Sequence, residues 1–262
     1  MTTIEQLKEQ IRSMGIGPGD TVLIHTSLRA VGPVENGADG LIDAFCQCLP
    51  EGLFLVPTHT WADVNRENPV YDVRTSVPCI GTLPKVAAFR KDGFRSLHPT
   101  HSIWGWGKDA QTFLQGEERA VTPGGVGFAW ERLAERNTRI LLIGVGNNRN
   151  TFIHAVEEIA DVPNRLDPKP FEMTVYDHSG NVHKTMFSGH YCTETCDVSA
   201  QFVNFDRAFT ELGVWKEGRL GNARVMVVDS VRCRDTVLKI LSRAKEDLCV
   251  RLMDLDPALW RD

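Results

Sequence analysis

Short apolar runs with strand character alternate along this chain with segments whose apolar residues recur at helical spacing. The strand-like runs lie at 20–25, 52–57 and 139–145, with further candidates at 174–176, 180–187 and 223–228. Helical spacing predicts helices over 3–14, 37–49 and 231–247. This alternation is typical of an α/β fold, so we expect a central mixed sheet flanked by helices, with long irregular loops over the carboxyl ends of its strands. No linker rich in proline, glycine and serine divides the chain, which predicts a single domain over residues 1–262.

Composition and charge exclude several classes of protein. The 29 Lys and Arg residues and 34 Asp and Glu residues give a net charge of −5 without a basic stripe, so nucleic acid is not an expected partner. No apolar run approaches the roughly 20 residues of a membrane-spanning helix. The cysteine count is odd, at 7, and the N-terminus lacks a signal-peptide pattern. We therefore expect a reduced, cytoplasmic protein that does not bind membranes.

Two segments without clean periodicity, 60–82 and 98–127, are the candidate loops above the sheet. Irregular excursions of this length usually carry function, because loops held over a rigid scaffold are where binding sites form. The first segment contains the side chains that we take as candidates for substrate binding. They are Thr60, Trp61, Asp63 and Tyr71.

The first strand-like run leads into five residues that could bind an anion: His25, Thr26, Ser27, Leu28 and Arg29. If a helix begins here, its free backbone N–H groups and two hydroxyls lie at the carboxyl end of the strand, where cofactor phosphates bind in α/β proteins. Serine and threonine are also favoured as ordinary helix N-caps. The pattern leaves both interpretations open.

Two patterns resemble parts of metal sites. His98 and His101 form a His-x-x-His pair, but Pro99 argues against a continuous helix between them. No third ligand is evident, so packed or backbone-bonded histidines are the alternative. Cys192 and Cys196 are spaced like half of a zinc site, with no second pair at suitable spacing. We therefore expect no bound metal.

The segment 144–157 brings a histidine and a carboxylate together. A buried strand ends in glycines there, and Asn150 or Thr151 is expected to cap a helix that begins at once. His154 and Glu157 are three residues apart and therefore share one helix face. A histidine near the carboxyl end of a strand and beside a carboxylate is a candidate general base, although such pairs are also common on solvated helices.

Ordered motifs extend these segments into one pattern over nearly the whole chain. The motifs are His25-Thr-Ser-Leu-Arg-Ala-Val-Gly, Val56-Pro-Thr-His-Thr-Trp, Tyr71-Asp-Val-Arg-Thr-Ser, Gly81-Thr-Leu-Pro, Arg95-Ser-Leu-His-Pro-Thr-His-Ser-Ile-Trp-Gly-Trp-Gly, Leu141-Leu-Ile-Gly-Val-Gly, Asn150-Thr-Phe-Ile-His-Ala-Val-Glu, Cys196-Asp-Val and Gly221-Asn-Ala. Each is weak alone, but their order and intervals are specific. The pattern closely resembles the aminoglycoside 3-N-acetyltransferase family, also called the antibiotic N-acetyltransferases.

This resemblance implies an activity and its ligands. Members of the family transfer an acetyl group from acetyl-CoA to the 3-amino group of a deoxystreptamine ring. The resemblance thus implies acetyl-CoA as cosubstrate and a small cationic amine as acceptor, with residues 25–29 contacting CoA. Three further residues are implied to line the same cleft: His98, Thr100 and Ser102.

His154 is the implied catalytic base, acting by direct transfer. Glu157 is a carboxylate of the same site, expected either to fix the imidazole tautomer or to bind an ammonium group of the substrate. Where family members often carry an aspartate six residues before the base, this chain has Asn148, which cannot stabilise an imidazolium by charge. Three explanations of Asn148 are open. Glu157 supplies the negative charge that the aspartate would supply, or His154 is a weaker base than in those members, or the substrate is different. Two alternatives stay open: a non-catalytic relative that binds CoA or an aminoglycoside, and a metal-dependent amide hydrolase that uses His98 and His101. A homodimer also stays open.

Overall fold

The computed structural model describes residues 1–195 and 197–261, in which helices surround two sheets. The helices are α1 (Ile4–Ser13), α2 (Leu28–Val31), α3 (Gly37–Cys48), α4 (Thr82–Phe89), α5 (Ala110–Leu114), α6 (Ala129–Glu135), α7 (Phe152–Ile159), α8 (Asp206–Glu211) and α9 (Ser230–Arg243). The strands are β1 (Thr21–Thr26), β2 (Leu53–Pro57), β3 (Val70–Asp72), β4 (Phe94–Arg95), β5 (Ile103–Gly107), β6 (Arg139–Ile143), β7 (Phe171–Tyr176), β8 (Val182–Phe187), β9 (Trp215–Leu220) and β10 (Ala223–Asp229). The strands and helices predicted from periodicity are all present, with ends that differ by a few residues.

The larger sheet has seven strands in the order β4-β5-β2-β1-β6-β10-β9. Its central strands β2, β1 and β6 are parallel, whereas β5 and β10 pair with them in the antiparallel sense. One face of the sheet packs against an apolar cluster from α6, α7 and α9, and the other against a cluster from α1, α3 and α4. The predicted mixed sheet flanked by helices is confirmed. Because the three central strands run the same way, their carboxyl ends meet at one edge.

The strand β6 shows how the sequence sets this centre. Its residues from Ile140 to Ile143 are buried, as expected for a strand covered by helices on both faces. Gly144 then takes φ +63°, and a Cβ at this position would lie 2.3 Å from the Cβ of Ala30. Glycine is therefore required where the chain leaves β6 and turns toward α7.

The segment 98–127 is more regular than we expected, because it contains β5 and α5. Trp104 and Trp106 alternate with glycines in β5, and glycine weakens the usual strand signal. At Gly105 a Cβ would lie 2.7 Å from the Cδ1 of Leu114, so the helix α5 packs directly on the strand backbone. Gly105 therefore weakens the strand signal in the sequence and is required by the packing of α5 on β5.

A smaller sheet, in the order β3-β7-β8, contains part of the segment 60–82. It surrounds its own apolar cluster, in which Tyr71, Met173 and Phe187 are fully buried or nearly so.

The expected side-chain cap of α7 is absent, since Thr151 makes no such bond and Asn150 donates instead to the side chain of Asn147 at 3.1 Å. Among residues 1–195 and 197–261, no helix is long and apolar enough to span a bilayer.

Candidate active site

A cleft of about 620 Å³ lies where β1, β2 and β6 end. The residues of the sequence-predicted site that line it are His25, Thr26, Ser27, Trp61, Asn148 and His154. They come from three segments that are distant in sequence but adjacent in space, because each contains or follows the carboxyl end of one of the central parallel strands. The carboxyl edge of the sheet is therefore the candidate active site, as the sequence indicates.

The imidazole of His154 is bound by the carboxylate predicted to accompany it. Nδ1 of His154 lies 3.2 Å from Oε2 of Glu157, one helical turn further along α7. A carboxylate accepts hydrogen bonds and does not donate them, so this contact assigns the proton to Nδ1. Nε2 is then the nitrogen of His154 that can accept a proton from a molecule in the cleft.

Glu157 is itself held in place by a buried ionic network. Its side chain is 1% exposed, and its Oε1 accepts a hydrogen bond from Nε of Arg165 at 2.7 Å. The guanidinium of Arg165 also donates to both carboxylate oxygens of Asp247, at 2.8 and 2.5 Å. A buried carboxylate whose two oxygens both have hydrogen-bond partners is held in one orientation. The network thus fixes the orientation of Glu157 and, through it, of His154.

Two rings contact the imidazole of His154. The centroid of His190 lies 4.1 Å away with the rings tilted by 40°, and Phe202 packs edge-on at 4.7 Å. Asn148 also lines the cleft, but Nδ1 of His154 is bound by Glu157 and not by this amide. Of the explanations left open for Asn148, the geometry favours the one in which Glu157 supplies the negative charge.

Five of the eight histidines line the cleft, and a sixth, His98, packs against the ring of His101. The centroid of His101 lies 4.5 Å from that of His59 and 5.0 Å from that of His190. Burial lowers the pKa of His25 to about 3 and that of His98 to about 4. Burial, followed by the proximity of the other histidines, lowers the pKa of His59 and of His101 well below the usual value. These four side chains are therefore neutral at physiological pH.

Acidification should destabilise the protein through these four buried histidines. Each is neutral in the folded state, while its unfolded counterpart takes up a proton as the pH falls through 6.5. Their contribution to stability is therefore complete above that pH and is lost below it, by roughly 1.4 kcal/mol each between about pH 7.5 and about pH 5.5. Burial raises the pKa of Glu117 to about 7, so this residue opposes the trend and regains about 1.8 kcal/mol over the same interval. Burial also lowers the pKa of His190, which adds a loss of similar size, and the raised pKa values of Asp206 and Glu158 offset part of it, so the net loss is about 4 kcal/mol.

Thermal melts followed by circular dichroism test this expectation, which corresponds to a drop in Tm of roughly 10 °C. The variant His183→Gln is the control, because His183 lies partly exposed on the small sheet and away from the cluster. It should show the same drop as the unmodified protein. Equal Tm values at the two pH values would contradict the assignment of neutral buried histidines.

The predicted CoA-binding residues 25–29 divide into two groups. His25, Thr26 and Ser27 line the cleft, whereas Leu28 is half-buried and Arg29 is exposed, and neither is part of the wall. The helix α2 has a single turn, and the Ser27 hydroxyl accepts a hydrogen bond from the N–H of Ala30 at 3.3 Å. This hydroxyl serves as an ordinary N-cap, the second of the two interpretations considered above.

The predicted cleft residues His98, Thr100 and Ser102 are buried and do not line the cleft. Nδ1 of His98 accepts hydrogen bonds from the N–H groups of Thr100 and His101, at 3.3 and 3.0 Å, and Nε2 lies 3.1 Å from the carbonyl of Thr122. Both ring nitrogens are therefore used by the backbone. His101, between the predicted residues, is the member of this segment that reaches the cleft.

Of the five candidate substrate-binding residues, Glu157 is buried and does not line the cleft, and the four in the loop differ in their surroundings. Trp61 is 50% exposed and lines the cleft, while Asp63 is exposed outside its wall. Thr60 and Tyr71 are fully buried, with Thr60 donating to the carbonyl of Pro99 and Tyr71 to that of Ser96. Only Trp61 of this group is therefore placed to contact a molecule in the cleft.

Of the two patterns that resembled metal sites, the structure describes the His98 and His101 pair in full and the cysteine pair only in part. Within residues 1–195 and 197–261, no group of three or more His, Cys, Asp and Glu side chains is arranged to hold a metal ion. The nitrogens of His98 are engaged as described, and Cys196, the second member of the cysteine pair, lies outside the described residues. A hydrolase site built on His98 and His101 would therefore require His98 to release its backbone hydrogen bonds.

Several residues of the site were not identified from the sequence. They are His59, Arg149, Arg165, His190, Tyr191 and Asp247. Arg165 and Asp247 are 82 residues apart and lie in loops, so no periodicity links them. The one available signal was the recurrence of histidine after strand-like runs, at His25, His59 and His154.

His154 lines the cleft at the carboxyl ends of the parallel strands with the buried Glu157 behind it, an arrangement that can serve general base catalysis. A family model described as aminoglycoside 3-N-acetyltransferase matches residues 23–242. The chain belongs to this family, and its class is that of an acetyltransferase enzyme. The resemblance noted in the sequence is thereby confirmed.

Individual relatives are distant in sequence but similar over most of their length. Aminoglycoside N(3)-acetyltransferase III of Serratia marcescens is 28% identical over 246 residues, which cover 85% of this chain and 91% of the relative. The apoenzyme structure of aminoglycoside acetyltransferase AAC(3)-IVa is 26% identical with a TM-score of 0.76, covering 98% of this chain and 90% of that one. A histidine-to-alanine variant of the same acetyltransferase, in complex with a gentamicin, covers 92% and 88% at 26% identity and a TM-score of 0.76.

Proposed function

We propose that this protein transfers an acetyl group from acetyl-CoA directly to a small cationic amine, with His154 as the general base. The acceptor is the 3-amino group of a 2-deoxystreptamine aminoglycoside or a related amine. The observation that carries the proposal is the contact between His154 Nδ1 and Glu157 Oε2 at 3.2 Å, in the wall of the cleft. Family membership supports the choice of acetyl donor and of acceptor class.

The reaction needs one base with an unprotonated nitrogen that can accept the proton of the amine. The neutral amine attacks the carbonyl carbon of the thioester, its proton passes to Nε2 of His154, and the C–S bond breaks as the tetrahedral intermediate collapses. His154 then returns the proton to the departing CoA thiolate, which balances the reaction. Glu157 keeps the imidazole in the tautomer that can accept the proton, and its charge faces the imidazolium that forms. A positioned base contributes typically 10²- to 10⁴-fold to such a step.

The cleft also suits the donor. His25, Thr26 and Ser27 line it at the end of β1, and the neutral state of His25 leaves an uncharged wall beside the thioester. We propose that these residues contact the acetyl-CoA end that reacts. We propose direct transfer, in which His154, oriented by Glu157, takes the proton of the amine and is not itself acetylated. The single domain, the homodimer and the cytoplasmic location stay predictions.

Thiol release from acetyl-CoA, measured against a panel of aminoglycosides and simple amines, tests the proposed function. Release should require an added amine, because the acceptor nitrogen is the nucleophile. Acetyl-CoA alone, at about one hundred times its Kd, should stabilise the protein by about 2.7 kcal/mol and raise its Tm by roughly 5–10 °C.

The outcomes separate the alternatives. A shift in Tm without thiol release for any amine would identify a non-catalytic CoA-binding relative. Neither a shift nor release would contradict the proposed function altogether. Stoichiometric metal found by elemental analysis would instead favour the metal-dependent amide hydrolase, which would cleave an amide without releasing thiol from acetyl-CoA.

A further inference from the structure

His190 places a second imidazole beside the proposed base. The centroid of its ring lies 4.1 Å from that of His154, with the two rings tilted by 40°. Both residues line the cleft, and His190 is exposed to it. Within residues 1–195 and 197–261, no hydrogen bond or ion pair is made by the side chain of His190. Its ring nitrogens are therefore free to bind a molecule in the cleft.

The backbone of His190 is held by the same network that orients the base. The N–H of the next residue, Tyr191, donates to the carbonyl of Arg165 at 3.0 Å, and His190 itself pairs with Leu166 in an antiparallel bridge. The guanidinium of Arg165 in turn binds the carboxylate of Glu157 at 2.7 Å. One segment of chain thus fixes both the backbone of the second imidazole and the carboxylate that orients the first.

His190 is neutral at physiological pH. Burial among the neighbouring side chains, followed by the proximity of His154, lowers the pKa of His190 well below its usual value. A neutral imidazole carries one N–H donor and one acceptor nitrogen. No hydrogen bond joins the two rings, which face each other at an angle. The N–H of His190 can therefore bind the substrate while Nε2 of His154 stays free to accept a proton.

The acetyl carbonyl lies close to the base when transfer occurs. The acceptor nitrogen must come within about 2.6–3.2 Å of Nε2 of His154, the range in which a proton can pass. In a productive complex the attacked carbon is about 3–3.5 Å from that nitrogen, with its oxygen one bond further. A donor to this oxygen must therefore come from a group adjacent to His154. His190, in ring contact with it, meets this requirement.

Other groups near the reaction centre are less suited to this role. Within the described parts of the chain, the rings that contact His154 are those of His190 and Phe202. Phe202 has no N–H to donate. The backbone N–H of Ser27, at the end of β1, already donates to the carbonyl of Ile143 at 2.9 Å. His190 is therefore the aromatic neighbour of the base that can donate a hydrogen bond.

We propose that His190 is a second catalytic residue, whose N–H donates a hydrogen bond to the carbonyl oxygen of the acetyl thioester and stabilises the oxyanion of the tetrahedral intermediate. This inference rests on the acetyl-transfer function proposed above and assigns its oxyanion donor. When the amine attacks, the π electrons of the carbonyl move to the oxygen, and they return when the C–S bond breaks. His190 keeps its proton throughout, and His154 carries the proton of the amine to the thiolate. A neutral imidazole is suited to such a role.

Isotope-edited infrared spectroscopy of bound acetyl-CoA tests the contact without any acceptor. A heavier carbon isotope in the acetyl carbonyl identifies its C=O band, which moves to lower wavenumber when the oxygen accepts a hydrogen bond. The band should lie lower in the unmodified protein than in His190→Phe, which keeps an aromatic ring beside His154 but has no N–H. The matched control His183→Phe, on the small sheet outside the cleft, should leave the band in place. His154→Ala should also leave it in place, because the base does not bind this oxygen.

Thiol release with gentamicin as acceptor measures the effect on rate. His190→Phe should lower kcat at least about a hundredfold, as is typical for the loss of one oxyanion donor, with KM for acetyl-CoA little changed. His190→Gln, whose amide N–H can replace the donor, should regain at least about tenfold of that loss. The pH at which kcat is half-maximal should be the same in all three proteins, because His154 still transfers the proton.

Two results would overturn the role of His190. One is a carbonyl band that does not move in His190→Phe saturated with acetyl-CoA. The other is near-normal kcat in that variant, with thermal melts showing that it is folded. A shifted pH profile with an unmoved band would mean that His190 acts only through His154. If gentamicin is not acetylated, the band alone decides. Failure of acetyl-CoA to raise the Tm of the unmodified protein contradicts instead the proposed function, and the role of His190 with it.

Discussion

Alanine in place of His154 should lower kcat for acetyl transfer at least about a hundredfold, while KM for acetyl-CoA changes little. The imidazole contributes the nitrogen that takes the proton from the amine, and no neighbouring group among the described residues duplicates its geometry. His190 contacts the same ring, but it does not replace His154, because the contact with the carboxylate of Glu157 is made by Nδ1 of His154. Removing the base should therefore affect the chemical step and not the binding of the donor.

Steady-state kinetics of thiol release, at saturating acetyl-CoA, measure this effect. The variant His183→Ala serves as the control, because His183 lies on the small sheet beside Asp177 and outside the cleft. Thermal melts of both variants show whether any loss arises from unfolding. Near-normal turnover by a folded His154→Ala variant would exclude His154 as the base.

The variant Arg165→Met should destabilise the fold by about 3–5 kcal/mol, because it leaves the carboxylate of Glu157 buried without its charged partner. Glu157 is 1% exposed and Arg165 is 4% exposed, so water cannot replace the lost contact. The double variant Glu157→Met with Arg165→Met should recover part of the loss, since the buried charge is then absent.

Urea unfolding provides the measurement, with Arg224→Met as the matched control. Arg224 and Glu217 form an exposed pair, and such pairs contribute at most about 1 kcal/mol. An Arg165→Met variant that is no less stable than Arg224→Met would contradict the role of the network. Because Glu157 orients His154, we also expect Arg165→Met to lower kcat more than it raises KM.

Local sequence patterns predicted much of the fold because the elements concerned are strongly periodic. The continuous apolar run of β6 and the amphipathic spacing in α1 lie in the structure where they were expected. The strand β5 was missed because Gly105 and Gly107 interrupt its apolar residues, and the reason for Gly105 is a contact with Leu114. Such a contact depends on the packed helix and leaves no signal in the strand itself.

The sequence likewise predicted one part of the candidate site correctly and another part incorrectly. The spacing of His154 and Glu157 already implied that they share a helix face, and the structure joins them at 3.2 Å. For Tyr71, residue type and loop location suggested contact with substrate, but the side chain is buried in the core of the small sheet. Polar and aromatic residues in a loop can face either way, and burial decides between the two.

What the sequence determined by itself was the alternation of strands and helices, the edge at which the site forms, and the histidine–carboxylate pair of α7. These depend on interactions between residues close together in the chain, where spacing fixes geometry. Only the tertiary structure brought Asp247 to Arg165 and His190 to His154, and separated the buried His98 from the cleft. Contacts across tens of residues depend on how loops pack on the sheet, and neither periodicity nor local motif encodes that packing.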